Sequence, residues 1–150
     1  MATAARLPDL RALTHALGPA TDTAAHLSAL TGRSGPAPQA AIEHLDTAIV
    51  PGGRACAATP PVAGHVLGLL LDGAVPDPAI RVELLYFLGQ VTEAAEAPAD
   101  EPGVAGCRGL LTRILSAAEH CERDRDSYVR IEAADCAEAA LEVAERLGPI

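Results

Sequence analysis

The sequence predicts an all-α domain, and three observations carry that prediction. Apolar residues recur at spacings of three and four, alanine makes up much of the 49% hydrophobic content, and the β-branched and aromatic runs that build strands are missing. A chain of 150 residues suffices for one compact domain, although an alanine-rich composition makes its core thin.

Proline, glycine and aspartate divide the chain into segments of helical length. A first helix is expected over about residues 8–17 (PDLRALTHAL), stopped by Gly18-Pro19. Thr21 or Thr23 then caps a short helix, TAAHLSALTG, which ends at Gly32, and GRSGPAP at 32–38 is a loop by composition. The next helix, near 38–50, places Ile42, Leu45 and Ile49 on one face, with Glu43 and Thr47 opposite and His44 at the edge of the stripe.

The segment PGGRACAATPP, residues 51–61, connects this helix to one over about 60–72 that is apolar almost all round. Such a helix is sandwiched between neighbours, and its Gly64 and Gly68 would admit another helix closely. Asp77 and Pro78 open the following helix as N-cap and first helical position. Its stripe is Ile80, Leu84, Phe87, Leu88 and Val91, with Glu83, Tyr86 and Gln90 on the wet face. An acidic connector, EAAEAPADEPG at 93–103, leads to helices over about 103–121 and 126–147.

Two segments repeat. DPAIRVE at 77–83 and DSYVRIE at 126–132 share D-x-x-[IV]-R-[VI]-E, and upstream of the two copies PVAGHVLGLL from Pro61 echoes PGVAGCRGLL from Pro102. The echoes keep their order, which argues for duplicated helical hairpins. An aspartate that opens the second helix of a hairpin, followed three residues later by a [VI]-R pair, resembles HEAT-like repeats; here these are Asp77 with Ile80-Arg81 and Asp126 with Val129-Arg130.

The stretch from AIEHLDTAI through TPPVAGHVLGLLL to IRVELLYFLG also resembles small, uncharacterised HEAT-like proteins of GC-rich bacteria, over roughly residues 10–96. The resemblance implies a short right-handed α-solenoid of about three stacked hairpins, HEAT- or armadillo-like, over residues 8–50, 60–96 and 102–147. It implies no activity. Asp77 and Asp126 read as structural caps, and Arg81 and Arg130 as side chains whose heads bond acidic groups or carbonyls of the adjacent repeat.

Eleven basic against 20 acidic residues, net −9, argue against nucleic acid and anionic membranes as partners and favour a cationic or mixed-charge one. Residues 1–20 lack the pattern of a secretory leader and no run of 18 apolar residues follows, so a cytoplasmic location with reduced thiols at Cys56, Cys107, Cys121 and Cys136 is expected. The absence of lysine and asparagine removes lysine-dependent phosphate loops, Schiff bases and a Cys-His-Asn triad.

The loop at 51–61 holds the candidate binding residues. Gly52 and Gly53 can turn N–H groups inward, Arg54 supplies charge, and Thr59 starts a helix whose positive end lies nearby; a plain connector explains the same residues. Cys56 with His65 or His44 as base has the residue types of a thiol nucleophile, although a loop cysteine among small residues is more often inert. No metal site is expected, because no C-x-x-C or H-x-x-x-H occurs. No cofactor and no catalytic residue is assigned.

The function expected is a protein-interaction module or adaptor that uses the surface of a short HEAT-like array. One alternative is a small enzyme or small-molecule carrier with a pocket formed by Arg54, Cys56 and His65, with His44 and Tyr86 around it. Another is an acidic inhibitor or immunity-type protein that blocks a basic site on its target.

Overall fold

The computed structural model describes residues 7, 10, 13–32 and 37–148. Within them the chain is mostly helical: α1 is Thr23–Ala29, α2 Pro38–His44, α3 Thr59–Leu71, α4 Pro78–Ala94, α5 Val104–Gly109, α6 Leu111–Cys121 and α7 Ser127–Leu147. None of these helices is long and apolar enough to cross a membrane.

The chain departs from expectation first over the segment assigned to the opening helix. Thr14–His15 (β1) and Gly18–Pro19 (β2) instead form a minimal antiparallel hairpin. Tertiary partners explain the change. Ala16 N–H donates to Ala48 O at 2.8 Å, Thr14 O accepts from Ala58 N–H at 3.2 Å, and Leu17 N–H donates to His15 Nδ1 at 3.0 Å, so groups that a helix would pair internally are committed elsewhere. Residues 8, 9, 11 and 12 of that expected helix, and residues 33–36 of the expected loop, lie outside the described residues.

Pro38 opens α2, and the expected helix to residue 50 is completed by a π-helical turn, Leu45–Ile49. Pro51–Gly53 then makes a single 3₁₀ turn in which Gly52 and Gly53 take φ of 60° and 77°, values that only glycine adopts readily. The single helix expected over about 103–121 is broken at Leu110 into α5 and α6. A Cβ on Gly103 would strike the carbonyl oxygen of Cys56, and one on Gly106 would meet the ring of Pro60. The close approach expected at Gly64 therefore falls at Gly103 and Gly106, where α5 presses on the loop before α3; at Gly64 a Cβ would meet only Arg113 Nη1, at 3.7 Å.

The most extensive helix contacts are α4 with α7 and α6 with α7, and α3 lies beside α6. One continuous buried cluster spans the chain, with Leu27, Leu45, Ile49, Leu67, Leu84, Phe87, Leu88 and Ile114 fully enclosed. Burying such side chains is the main favourable contribution to the fold, about 1.5–3 kcal/mol each.

The two D-x-x-[IV]-R-[VI]-E copies adopt the same local geometry. Asp77 caps α4 by accepting Ala79 N–H, and Asp126 caps α7 by accepting Tyr128 and Val129 N–H. Arg81 Nη1 donates to the carbonyls six and five residues earlier, Val75 and Pro76, and Arg130 Nη1 does so to Asp124 and Arg125. Arg81 goes further: Nε and Nη2 grip the Asp124 carboxylate at 3.0 and 3.2 Å, joining α4 to the α6–α7 turn.

Candidate functional site

The loop residues singled out from sequence are largely occupied by the backbone. Thr59, fully buried at the first position of α3, donates its hydroxyl to Ile49 O at 2.6 Å and accepts Cys56 N–H at 2.8 Å. Cys56 Sγ lies 3.3 Å from the same Ile49 carbonyl and 3.4 Å from Thr59 Oγ1, so these two residues close off the end of the π-helical turn. Arg54 is exposed and reaches Glu101 at 3.7 Å. His65 is buried within α3, and His44 and Tyr86 lie in two other places, described next. Burial pushes the Cys107 and Cys121 thiols up to about 11 and the Cys136 thiol up to about 12, which keeps all three protonated and inert at neutral pH.

Tyr86 stands on the seam between α4 and α7. There Leu85, Tyr86, Gly89, Gln90 and Glu93 of α4 face Glu132, Asp135, Cys136 and Ala139 of α7 across a groove of about 220 Å³. A second hollow, of about 360 Å³, lies between the helix starts, lined by Asp77, Val82, Glu83, Asp126 and Tyr128. Both tyrosines of the chain are thus on this face and exposed, at 52% and 73%.

The carboxylates of this face crowd one another. Glu132 is raised above the ordinary glutamate value, first by burial and then by the negative charges of Asp135 and Glu83. Asp46, in the π-helical turn after α2, is raised by burial and again by Glu83. Glu83 and Glu132 are the closing residues of the two repeat copies, so the repeat brings its own glutamates together across the seam. Among the described residues no ion pair neutralises Glu83, Glu132 or Asp135; the cations Arg81, Arg146 and Arg54 pair with Asp124, Glu96 and Glu101.

A third constellation joins His44 to residues that sequence reading missed. His15 Nε2 lies 2.9 Å from Asp22 Oδ1, His44 Nδ1 lies 3.9 Å from Asp22 Oδ2, and Thr23 Oγ1 lies 2.8 Å from His44 Nε2. The His26 ring stacks on His44 at 4.3 Å and 12°, and His15 meets His44 edge-on at 5.2 Å. Asp22 is the N-cap residue of α1, but its carboxylate serves His15 instead of the helix N–H groups. Burial raises the Asp22 pKa, but the His15 hydrogen bond, the backbone and the nearby imidazoles outweigh it and leave the carboxyl below its usual value.

The ligand atoms of His15, Asp22 and His44 all lie within 4.8 Å of one another, close enough to test as a metal site. The donor set does not fit. Leu17 N–H occupies the lone pair of His15 Nδ1, so in the neutral ring Nε2 carries the proton and aims an N–H at Asp22, leaving no lone pair for an ion. The Thr23-His44-Asp22 chain also has the connectivity of a hydroxyl, base and carboxylate relay, but Thr23 is fully buried and no substrate can reach its oxygen.

Comparison of the chain with protein-family models, with curated proteins and with solved structures returned no match. Asp22 before α1 and His26 within it, four apart, and three histidines within thirty residues were the only sequence signals for the histidine corner. The α4–α7 face was half legible through Glu83, Tyr86 and Gln90; its other half lay in the matching register of the second repeat copy.

Proposed function

We propose that the protein is an interaction module whose α4–α7 face binds a basic, arginine- or lysine-bearing segment of another protein. The observation that carries this reading is the convergence of Glu83, Glu132 and Asp135, with no pairing cation among the described residues, beside two exposed tyrosines. Crowded like charges cost stability, and a cationic side chain laid into the groove removes that cost. A guanidinium also stacks on a tyrosine face, which neutral groups do not reward to the same degree.

The finer architecture belongs to the same proposal: the helices form a short HEAT-like solenoid. Its support is that α3 lies beside α6 and α4 beside α7, first helices with first and second with second, as in side-by-side hairpins. The Arg81 to Asp124 grip, from one hairpin to the joint of the next, supports it too. In such an array the exposed face of a row of second helices is a ready binding surface.

The chain has two tyrosines and no tryptophan, so intrinsic fluorescence reads this face directly. An arginine-rich test peptide is expected to change the tyrosine emission saturably, with an affinity that falls as salt rises. The double substitution Glu132→Gln with Asp135→Asn is expected to weaken that binding about tenfold or more. Glu119→Gln with Glu122→Gln, exposed acids at the end of α6, is the charge-matched control and is expected to change it less than about twofold. Equal weakening by both pairs would mean bulk charge attraction and would sink the site.

A further inference from the structure

The histidine corner opposes one carboxylate to three imidazoles, and in two of the rings the nitrogen open to a second proton already faces a hydrogen-bond donor. His15 Nδ1 accepts Leu17 N–H at 3.0 Å. His44 Nε2 meets the Thr23 hydroxyl at 2.8 Å; Thr23 is fully buried, and its hydroxyl proton has no other acceptor among the described residues. A proton added at His15 Nδ1 breaks the Leu17 bond. A proton added at His44 Nε2 forces Thr23 to accept, which strands its own hydroxyl proton.

The third ring adds to the difficulty. His26 Nδ1 is buried with no hydrogen-bond partner among the described residues, and the ring lies flat against His44, so charging both would stack two cations at 4.3 Å. The charged groups that face His44 are His15 from β1, Asp22 from the start of α1 and His26 from α1; Asp22 is the one anion among them, and its side chain is 57% exposed to water.

We propose that this corner is a proton-operated latch, which holds the β1–β2 hairpin and α1 against α2 while the His44 ring is neutral and loosens them when that ring takes up a proton. The three elements meet at the corner through His15–Asp22 and Thr23–His44, so losing those contacts loosens hairpin and helix together and leaves the Ala16–Ala48 and Thr14–Ala58 backbone bonds to hold the hairpin alone. Burial holds His44 below the ordinary imidazole value, the charge of His26 adds to that, and Asp22 offsets only part. The folded corner therefore prefers the neutral ring. Its contribution is complete above the unfolded imidazole pKa of about 6.5 and is lost as pH falls from there toward the lower folded value.

Amide hydrogen exchange read by mass spectrometry on the full chain tests the latch. After correction for intrinsic exchange, opening of residues 14–29 is expected to rise up to about tenfold per pH unit below about 6.5, while α4 and α7 stay protected. Unchanged protection down to about pH 5, or a loss shared equally by α4 and α7, overturns the proposal. His44→Gln keeps an acceptor for Thr23 and takes no proton, so the pH response of residues 14–29 is expected to shrink by about threefold or more at pH near 5.5; an unchanged response overturns it. Because that variant can itself open the corner, the wild-type ring is read as well by NMR titration. A His44 that protonates in the folded protein at or above about pH 6.5 overturns the latch, and one that protonates below it supports the latch.

Discussion

Thr59 and Cys56 share one backbone oxygen, yet their substitutions are expected to differ widely. The Thr59 hydroxyl both donates to Ile49 O and accepts Cys56 N–H, and it is fully buried. Thr59→Val keeps the shape, strands the Cys56 N–H and leaves Ile49 O only the weak thiol donor, at a cost of about 2–3 kcal/mol. The Cys56 thiol is a weak donor at 3.3 Å, and Cys56→Ala is expected to cost about 1 kcal/mol or less. Urea denaturation of the two variants checks this, and similar losses would contradict it. The sequence marked both residues, but as parts of a site and a cap. Their real work, satisfying the Ile49 carbonyl ten and seven residues earlier, depends on a π-helical turn that no local pattern in LDTAI announces.

At the scale of elements, helix limits were legible wherever a cap fixed them. Asp77-Pro78 and Asp126 start α4 and α7 where expected, because a side-chain acceptor for the first N–H groups is a local device. The opening helix was misread because His15, Ala16 and Leu17 take partners from residues 22, 48 and within the turn, and the break at Leu110 follows α5 being pressed on a loop some fifty residues earlier. The repeat arginines make the element-scale prediction. Arg81 holds two carbonyls and a carboxylate with both partners mostly buried, whereas Arg130, its equivalent, is exposed and holds carbonyls alone. Arg81→Ala is expected to cost about 2–3 kcal/mol and Arg130→Ala less than about 1, measured by chemical denaturation. Burial raises the Asp124 pKa, but the Asp126 N–H and Arg81 outweigh it and leave the carboxyl depressed. The Arg81 contribution is therefore present above the unfolded carboxylate value of about 3.9 and lost as pH falls below it, so the two variants are expected to converge only in that acid range.

At the scale of the whole molecule, three of the acidic residues meet on one seam. The net charge of −9 was plain from composition, but the meeting of Glu83, Glu132 and Asp135 on one seam follows from the register in which two copies of a seven-residue segment lie side by side. A surface that keeps Glu83, Glu132 and Asp135 together with no pairing cation among the described residues is less stable than it needs to be. Glu132 and Asp46 have raised pKa values, so they weigh against the fold when ionised; the penalty is present above their folded values and relaxes as pH falls through them, opposite in sign to the histidine corner. Screening should act as acid does on this seam. Raising salt from about 0.02 to 0.3 M shortens the reach of exposed charges to less than about 10 Å, and the melting temperature of the unliganded protein is expected to rise. Glu132→Gln removes the most crowded charge and is expected to raise the melting temperature at low salt by about 2 °C, with a smaller further gain on adding salt. A wild type destabilised by salt, or a Glu132→Gln protein that melts lower, would mean that the carboxylates are held by attraction and not crowded. Stabilisation on removing Glu132, together with loss of the basic peptide, would be the signature of a surface kept for a partner at the expense of the fold.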